Sequence, residues 1–325
     1  MEKLTASVIL GVYNEEENIE RFIKAILSQT YLPREIVIVD DGSTDKTAEI
    51  VKKYANGNQV LKYIYQENRG PAAARNNAWR NANADVCIFT DGDCVPRNNW
   101  IEEIIKPFCD VRIAAVGGRY ETINKNKILA RFIGYEIDYR YRKVEKEITA
   151  HGTYNLAVRK KVLEEIGGFD EKYKRPSGED WDITYKISEK YKIIFTRSAI
   201  VGHNHPEEFW PYLKNQFFRG FDRIRVYRDH PEKMKGDNYT PSIIKFQIAG
   251  SLALIFSLIF IYPFFYFSYL LPLAIFIFLF ATAFIPFKYL FKRDPTVALY
   301  SIPVQICRNF SWLFGALFGF FNIIY

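Results

Sequence analysis

Asp91-Gly92-Asp93 ends the β-branched run Val86-Cys87-Ile88-Phe89-Thr90. Two carboxylates one residue apart at a strand end, with glycine between them, can reach one hard divalent cation. Mg²⁺ and Mn²⁺ take oxygen ligands and commonly bridge to phosphate oxygens. Taken alone the spacing is a weak signal, because Asp-x-Asp also makes solvated turns. A second acidic cluster, Asp40-Asp41-Gly42-Ser43, closes the run at 35–39. A carboxylate there can accept from a base N–H or from ribose hydroxyls. Asp-Gly-Ser is also turn chemistry, with Ser43 or Thr44 as a helix N-cap. A third polar cluster, Tyr13-Asn14-Glu15, follows the apolar run at 7–12.

The elements that must position these clusters alternate. Strands are expected at 7–12, 35–39, 61–65 and 86–90, and helices at 17–27, 44–54 and 71–82. Strand and helix in turn imply a parallel sheet covered on both faces, with ligands beyond the carboxyl ends of its strands. The three clusters sit at the ends of strands one, two and four and should converge on one edge. Farther on, the pattern predicts a strand at 114–120, helices at 127–141, 155–166 and 179–190, and a strand at 192–196.

Composition sets the rest of the frame. The chain has 325 residues, enough for about two domains, with Lys+Arg 44 and Asp+Glu 37, a net charge of +7. That mild excess is not gathered into blocks, which argues against a nucleic-acid partner. The four cysteines have no C-x-x-C spacing, so neither a disulfide framework nor a zinc site is indicated. The start of the chain does not read as a cleaved signal peptide. The mean hydropathy of −0.14 conceals a division. Residues 246–287 contain no Asp, Glu, Lys or Arg, and 17 of the 27 Phe lie in the last 80 residues. This argues against a wholly soluble protein.

The apolar stretch is long enough for two membrane spans of ~20 residues. The expected break is near Tyr262-Pro263, with Tyr266 and Tyr269 as interfacial aromatics. Lys233, Lys235 and Lys245 precede it and Lys288, Lys292 and Arg293 follow it, so both flanks are expected in the cytoplasm, together with the N-terminal domain. A soluble buried hairpin is the bland alternative. Residues 207–228 mix aromatic and basic side chains and suit a helix at the membrane surface or one packed on the domain. Within 295–325, Phe310–Tyr325 and a little upstream are expected to span a third time, with Arg308 snorkelling near the cytoplasmic end; an interfacial or re-entrant helix is the alternative.

The four N-terminal motifs taken together, Val12-Tyr13-Asn14-Glu15, Val39-Asp40-Asp41-Gly42-Ser43-Thr44-Asp45, Asn68-Arg69-Gly70-Pro71-Ala72-Ala73-Ala74-Arg75-Asn76 and Asp91-Gly92-Asp93, resemble the nucleotide-sugar half of the inverting family 2 glycosyltransferases of the GT-A fold. Gly152-Thr153-Tyr154-Asn155-Leu156-Ala157-Val158-Arg159, Gly167-Gly168-Phe169-Asp170 and Gly178-Glu179-Asp180-Trp181-Asp182 resemble its acceptor half. The likeness covers about residues 5–225. It implies an α/β catalytic domain at 1–205, with a mixed, mostly parallel sheet. Its donor half is about 1–95 and its acceptor half about 96–205. An amphipathic segment at 206–245 and a helical membrane region of two to three helices at 246–325 complete the expected organisation.

The resemblance also implies roles. Tyr13, Glu15 and Asp41 should line the nucleoside pocket, and Arg75 should meet a phosphate or the sugar. Asp91 and Asp93 should hold the donor diphosphate through Mg²⁺ or Mn²⁺, with His203 a further metal contact; His205 competes for that place. Asp180, with Glu179 beside it, should be the base that takes the proton of an acceptor hydroxyl. Two acids would equally suit a helix N-terminus. Gln216-Phe217-Phe218-Arg219-Gly220 partly matches the Gln-x-x-Arg-Trp motif of processive synthases, but glycine stands in the tryptophan position, which speaks against a processive enzyme.

The implied activity is a membrane-anchored, metal-dependent inverting transfer from a nucleotide-diphosphate sugar to a hydroxyl, on a lipid-linked sugar or glycan. A polyprenyl-phosphate sugar synthase, with a lipid phosphate acceptor, is the alternative; such enzymes usually lack the Glu-Asp motif. An inactive GT-A scaffold is the other rival, and it would be expected to have lost Asp91, Asp93 or Asp180.

Overall fold

The structure is a computed structural model that describes residues 4–142, 144, 146–237, 239–261 and 269–324. It falls into two compact units, residues 1–123 with 144–204, and residues 124–143 with 205–325.

The first unit opens with the expected alternation: β1 (Ala6–Val12), α1 (Ile19–Leu27), β2 (Glu35–Asp41), α2 (Thr47–Ala55), β3 (Leu61–Gln66), α3 (Pro71–Arg80) and β4 (Val86–Thr90). β3, β2, β1 and β4 lie side by side in parallel. The side chains of β1, β2 and β4 are buried on both faces, as in covered parallel sheets, while the edge strand β3 is partly exposed. A short β5 (Cys94–Pro96) and α4 (Trp100–Ile105) lead to β6 (Ile113–Thr122).

The stretch 155–166 departs from expectation. It is a strand, β8 (Asn155–Arg159), followed by the shorter helix α6 (Lys160–Ile166), with the two-residue β7 (Glu147–Ile148) before it. β8 fills the slot between β4 and β6, antiparallel to both. A strand buried on both faces shows no alternation, so its apolar run reads like part of the adjoining helix. α7 (Glu179–Lys190) and β9 (Lys192–His203) complete the unit. β9 runs well beyond the expected 196, because it pairs with β6 along its length and with β5 at its far end. The sheet order is β3-β2-β1-β4-β8-β6-β9-β5, with β7 paired to β9.

The second unit is helical. It contains α5 (Ile128–Tyr141), α8 (Phe209–Asp229), α9 (Ser242–Phe256), α10 (Leu270–Ala283), α11 (Phe287–Phe291) and α12 (Pro295–Ile324). Two stretches, Ser242–Ile259 and Leu270–Phe291, are long and apolar enough to cross a membrane by length and composition. The expected break at Tyr262-Pro263, and Tyr266, lie outside the described residues; Tyr269 is exposed at the start of α10.

α12 differs from the expected span. Ser301, Gln305, Arg308 and Asn309 are all buried on it. Arg308 does not snorkel: it is 1% exposed and pairs with Glu136 of α5. Glu136 also accepts from Arg140, at 3.2 Å. α12 lies against α8 at backbone distance. A Cβ on Gly315 would fall 1.9 Å from the Phe217 carbonyl oxygen, and one on Gly220 would fall 2.3 Å from that of Trp312. Gly220 therefore stands where the processive motif has tryptophan because α12 occupies the space. Trp312 Nε1 donates to Gln216 of the same motif at 2.8 Å.

Candidate active site

The carboxyl ends of β1, β2 and β4 carry the three polar clusters side by side, and local hydrogen bonds hold their loops together. Asn14, the one non-glycine residue with positive φ among those described, turns the chain after β1. Its backbone N–H donates to Ser43 Oγ at 3.0 Å, and its Oδ1 accepts from the Thr44 N–H at 2.8 Å. The Glu15 N–H donates to Thr47 Oγ1 at 2.7 Å. Tyr13 is exposed at this edge.

Asp41 ends β2 at the same edge. It is buried, and its carboxylate accepts from Gln66 Nε2 (2.6 Å) and from the backbone N–H groups of Arg69 (2.9 Å) and Gly70 (2.8 Å). It therefore fixes the loop that leads into α3. Asp40 plays the same part closer by, accepting from the Ser43 N–H and the Tyr63 hydroxyl.

Gly11 lets α3 press on β1: a Cβ there would lie 2.6 Å from Ala74 Cβ. The next residue, Arg75, is thereby buried, with Nη2 2.8 Å from Asp91 Oδ1 and Nη1 2.9 Å from Glu179 Oε1. Burial works against its charge, but Asp91 and Glu179 outweigh it and hold the guanidinium above its usual range. One cation thus joins the strand-end acid to the first turn of α7. Burial, and then the neighbouring Asp180, push Glu179 up to about 7 against the pull of Arg75. Asp180 is half-buried, and its Oδ1 accepts from the Trp181 N–H at 2.8 Å.

On the other side of the pair, the antiparallel register of β5 and β9 sets His203 opposite Cys94. His203 Nε2 lies 3.1 Å from Asp93 Oδ2. Burial disfavours the charge of Asp93, yet His203 holds that carboxyl below its usual range. Ligand atoms of Asp93, Cys94 and His203 lie within 4.8 Å of one another. Glu15 completes the acidic crowd. Burial first, then Asp93, raise it to about 7, and Asp91 adds to the effect. Carboxylates and an imidazole this close fit a hard or borderline divalent cation, which would relieve their mutual repulsion. Asp93 and His203 offer ligand atoms close enough to share one, and Asp91 stands at the same strand end, paired with Arg75. His205 belongs to the second unit, where its backbone exchanges hydrogen bonds with the Asn124 side chain.

Several contributors were not singled out by the sequence reading. Asn76 donates to the Phe169 carbonyl and accepts from its N–H, both at 2.9 Å, which ties α3 to the Gly167-Gly168-Phe169 turn. Its signal in the sequence is its place beside Arg75 in the 68–76 motif. Tyr120 and Tyr154 stack at 3.4 Å, with His203 4.9 Å from Tyr120. His151 is fully buried, and nothing in its neighbours announced that.

Residues 7–167 match the family described as Glycosyl transferase family 2. Glycosyltransferase AglE of Haloferax volcanii is 32% identical over 228 residues, 68% of this chain and 73% of AglE. The chain belongs to glycosyl transferase family 2. Probable glycosyltransferase YdaM of Bacillus subtilis is 29% identical, with 66% of this chain aligned to 54% of that protein. Pre-mycofactocin glycosyltransferase of Mycobacterium tuberculosis is 25% identical, with 70% of this chain aligned to 48% of it.

Among solved structures, the Pyrobaculum calidifontis mannosyltransferase PcManGT, in complex with GDP-Man and Mn²⁺, has a TM-score of 0.65 at 20% identity. It covers 99% of this chain and 88% of its own. GalNAc-T7 with UDP, GalNAc and Mn²⁺ has a TM-score of 0.54 at 22% identity, over 75% of this chain and 53% of that one. These likenesses show the GT-A fold. The glycosyltransferase therefore has the fold class expected from its motifs, with a C-terminal helical region.

Proposed function

We propose that this glycosyltransferase moves a sugar from a nucleotide-diphosphate donor to a hydroxyl, with inversion, and that the hydroxyl belongs to a lipid-linked sugar or glycan at a membrane. The observation that carries the reading is the convergence of Asp91, Asp93, His203, Arg75 and the Glu179-Asp180 turn at one sheet edge. The two structural neighbours named above are complexes with GDP-Man or UDP and Mn²⁺, which supports a nucleotide donor and a divalent cation here.

Tyr13, exposed beyond β1, and the loops fixed by Asp41 form the nucleoside side of the site. Asp91, Asp93 and His203 would hold the cation, which when bound would offset the charge of the leaving diphosphate. Asp180, half-buried at the start of α7, takes the acceptor proton as its oxygen attacks the anomeric carbon. Arg75 keeps that turn close to the donor carboxylates. The two long apolar stretches support membrane anchoring, with the catalytic unit in the cytoplasm.

Asp180→Asn tests the acceptor. The amide keeps the shape but takes no proton near neutral pH, so turnover with the natural acceptor should fall roughly 10²–10⁴-fold while donor affinity barely moves. Near-normal turnover would replace the hydroxyl with an acceptor that arrives deprotonated, such as a lipid phosphate.

A further inference from the structure

Two adjacent acids open α7, and the reaction needs one base. Their surroundings differ. Glu179 is 3% exposed, its Oε1 is held by Arg75 Nη1 at 2.9 Å, and its Oε2 is buried without a hydrogen-bond partner. A carboxylate so enclosed cannot meet an acceptor hydroxyl without abandoning Arg75, which would leave a buried guanidinium half-compensated. Arg75 is itself 5% exposed, and its other arm is on Asp91. We propose that Glu179 is a positioning residue and not a proton acceptor: through Arg75 it fixes the first turn of α7, and with it Asp180, to the Asp91 strand end.

The same geometry gives the ion pair a second effect. Arg75 holds a positive charge against the oxygen set that is to receive a cation, and Glu179 offsets that charge. Removing Arg75 and removing Glu179 should therefore move cation affinity in opposite directions. The inference rests on the metal-dependent reading above, and the test separates the two.

Mn²⁺ binding to the full-length protein is measured by the EPR signal of free Mn²⁺, with thermal unfolding as a check on folding. Arg75→Gln should tighten Mn²⁺ binding and Glu179→Ala should weaken it, each by roughly three- to thirty-fold, as for charges within one network. Damage to the fold would weaken binding in both. Turnover supplies the second readout. Glu179→Gln keeps an oxygen that accepts from Arg75 Nη1, so it should recover most of the turnover lost in Glu179→Ala. A proton acceptor would be as inactive with Gln as with Ala.

Shifts of the same sign in the two Mn²⁺ titrations, or a Glu179→Gln variant as inactive as Glu179→Ala, overturn the proposal. Unchanged Mn²⁺ binding in Asp93→Ala would remove the metal reading instead, and the Gln and Ala comparison would still decide the role of Glu179.

Discussion

The residue scale is where the sequence was most informative about identity and least about partnership. Asp91 and Asp93 stand out by type and spacing, and Glu179 and Asp180 by the family resemblance, but the bonds of Arg75 to Asp91 and Glu179 are not carried by spacing. Asp41 shows the limit: the motif marks it, but not that its carboxylate accepts from Gln66 and from the backbone of Arg69 and Gly70. His151 was invisible, because a lone histidine shows nothing of its burial. It sits in the core of the first unit, and burial lowers it to about 4. In the unfolded chain it titrates near 6.5, so between those values the unfolded state binds the extra proton. Its contribution to stability is therefore full above about 6.5 and is lost as pH falls toward 4. Between pH 7.5 and pH 5 the loss should be roughly 2 kcal/mol. Urea unfolding of the wild type and His151→Gln at both pH values isolates it. Equal pH dependence in the two proteins would show that His151 is not held neutral.

At the scale of elements, amphipathic helices are readable by their period, and the covered parallel strands as short apolar runs closed by polar turn residues. β8 is not, since its apolar run passes without a turn signal into α6. The α8–α12 pair was unreadable for another reason: neither helix announces its neighbour. Glycine at 315 and 319 makes a small-xxx-small pattern of the kind that lets helix backbones approach. The backbones are close at both positions, with Phe217 and Phe221 carbonyls filling the place of a side chain. Gly315→Ala should force the helices apart and lower the stability of the helical unit by roughly 1–3 kcal/mol, as overpacking does. The check is thermal unfolding in detergent, followed by tryptophan fluorescence, since Trp312 on α12 bonds to Gln216 on α8. An unchanged midpoint would mean that the two helices are not packed through this glycine.

For the whole molecule, the division between a polar half and an apolar half was visible in composition, but the contour of the helical unit was not. It takes in residues 124–143, which the chain order places inside the catalytic region. The reason is physical: α5 supplies Glu136 to buried Arg308, and its Arg131 pairs with Asp294 just before α12. A cation buried on α12 is tolerable because a carboxylate from another part of the chain meets it. The flanking charges set an expected orientation. Lys233, Lys235 and Lys245 precede the first long apolar stretch, and Lys288, Lys292 and Arg293 lie at or just beyond the end of the second. If both stretches cross the bilayer, an even number of crossings returns the chain to its starting side, and the positive-inside rule makes that side the cytoplasm. Cys109, exposed on the catalytic unit, is a native reporter of the same side. A membrane-impermeant maleimide added to intact cells should therefore spare Cys109, and spare a cysteine introduced by Lys292→Cys in a Cys109→Ser background. It should label both after permeabilisation. A cysteine introduced by Tyr266→Cys in that same background should react without permeabilisation. Labelling of Cys109 and of the Lys292→Cys variant from outside would reverse the orientation. Protection of the Tyr266→Cys variant alone would mean that the two stretches form a hairpin that does not cross.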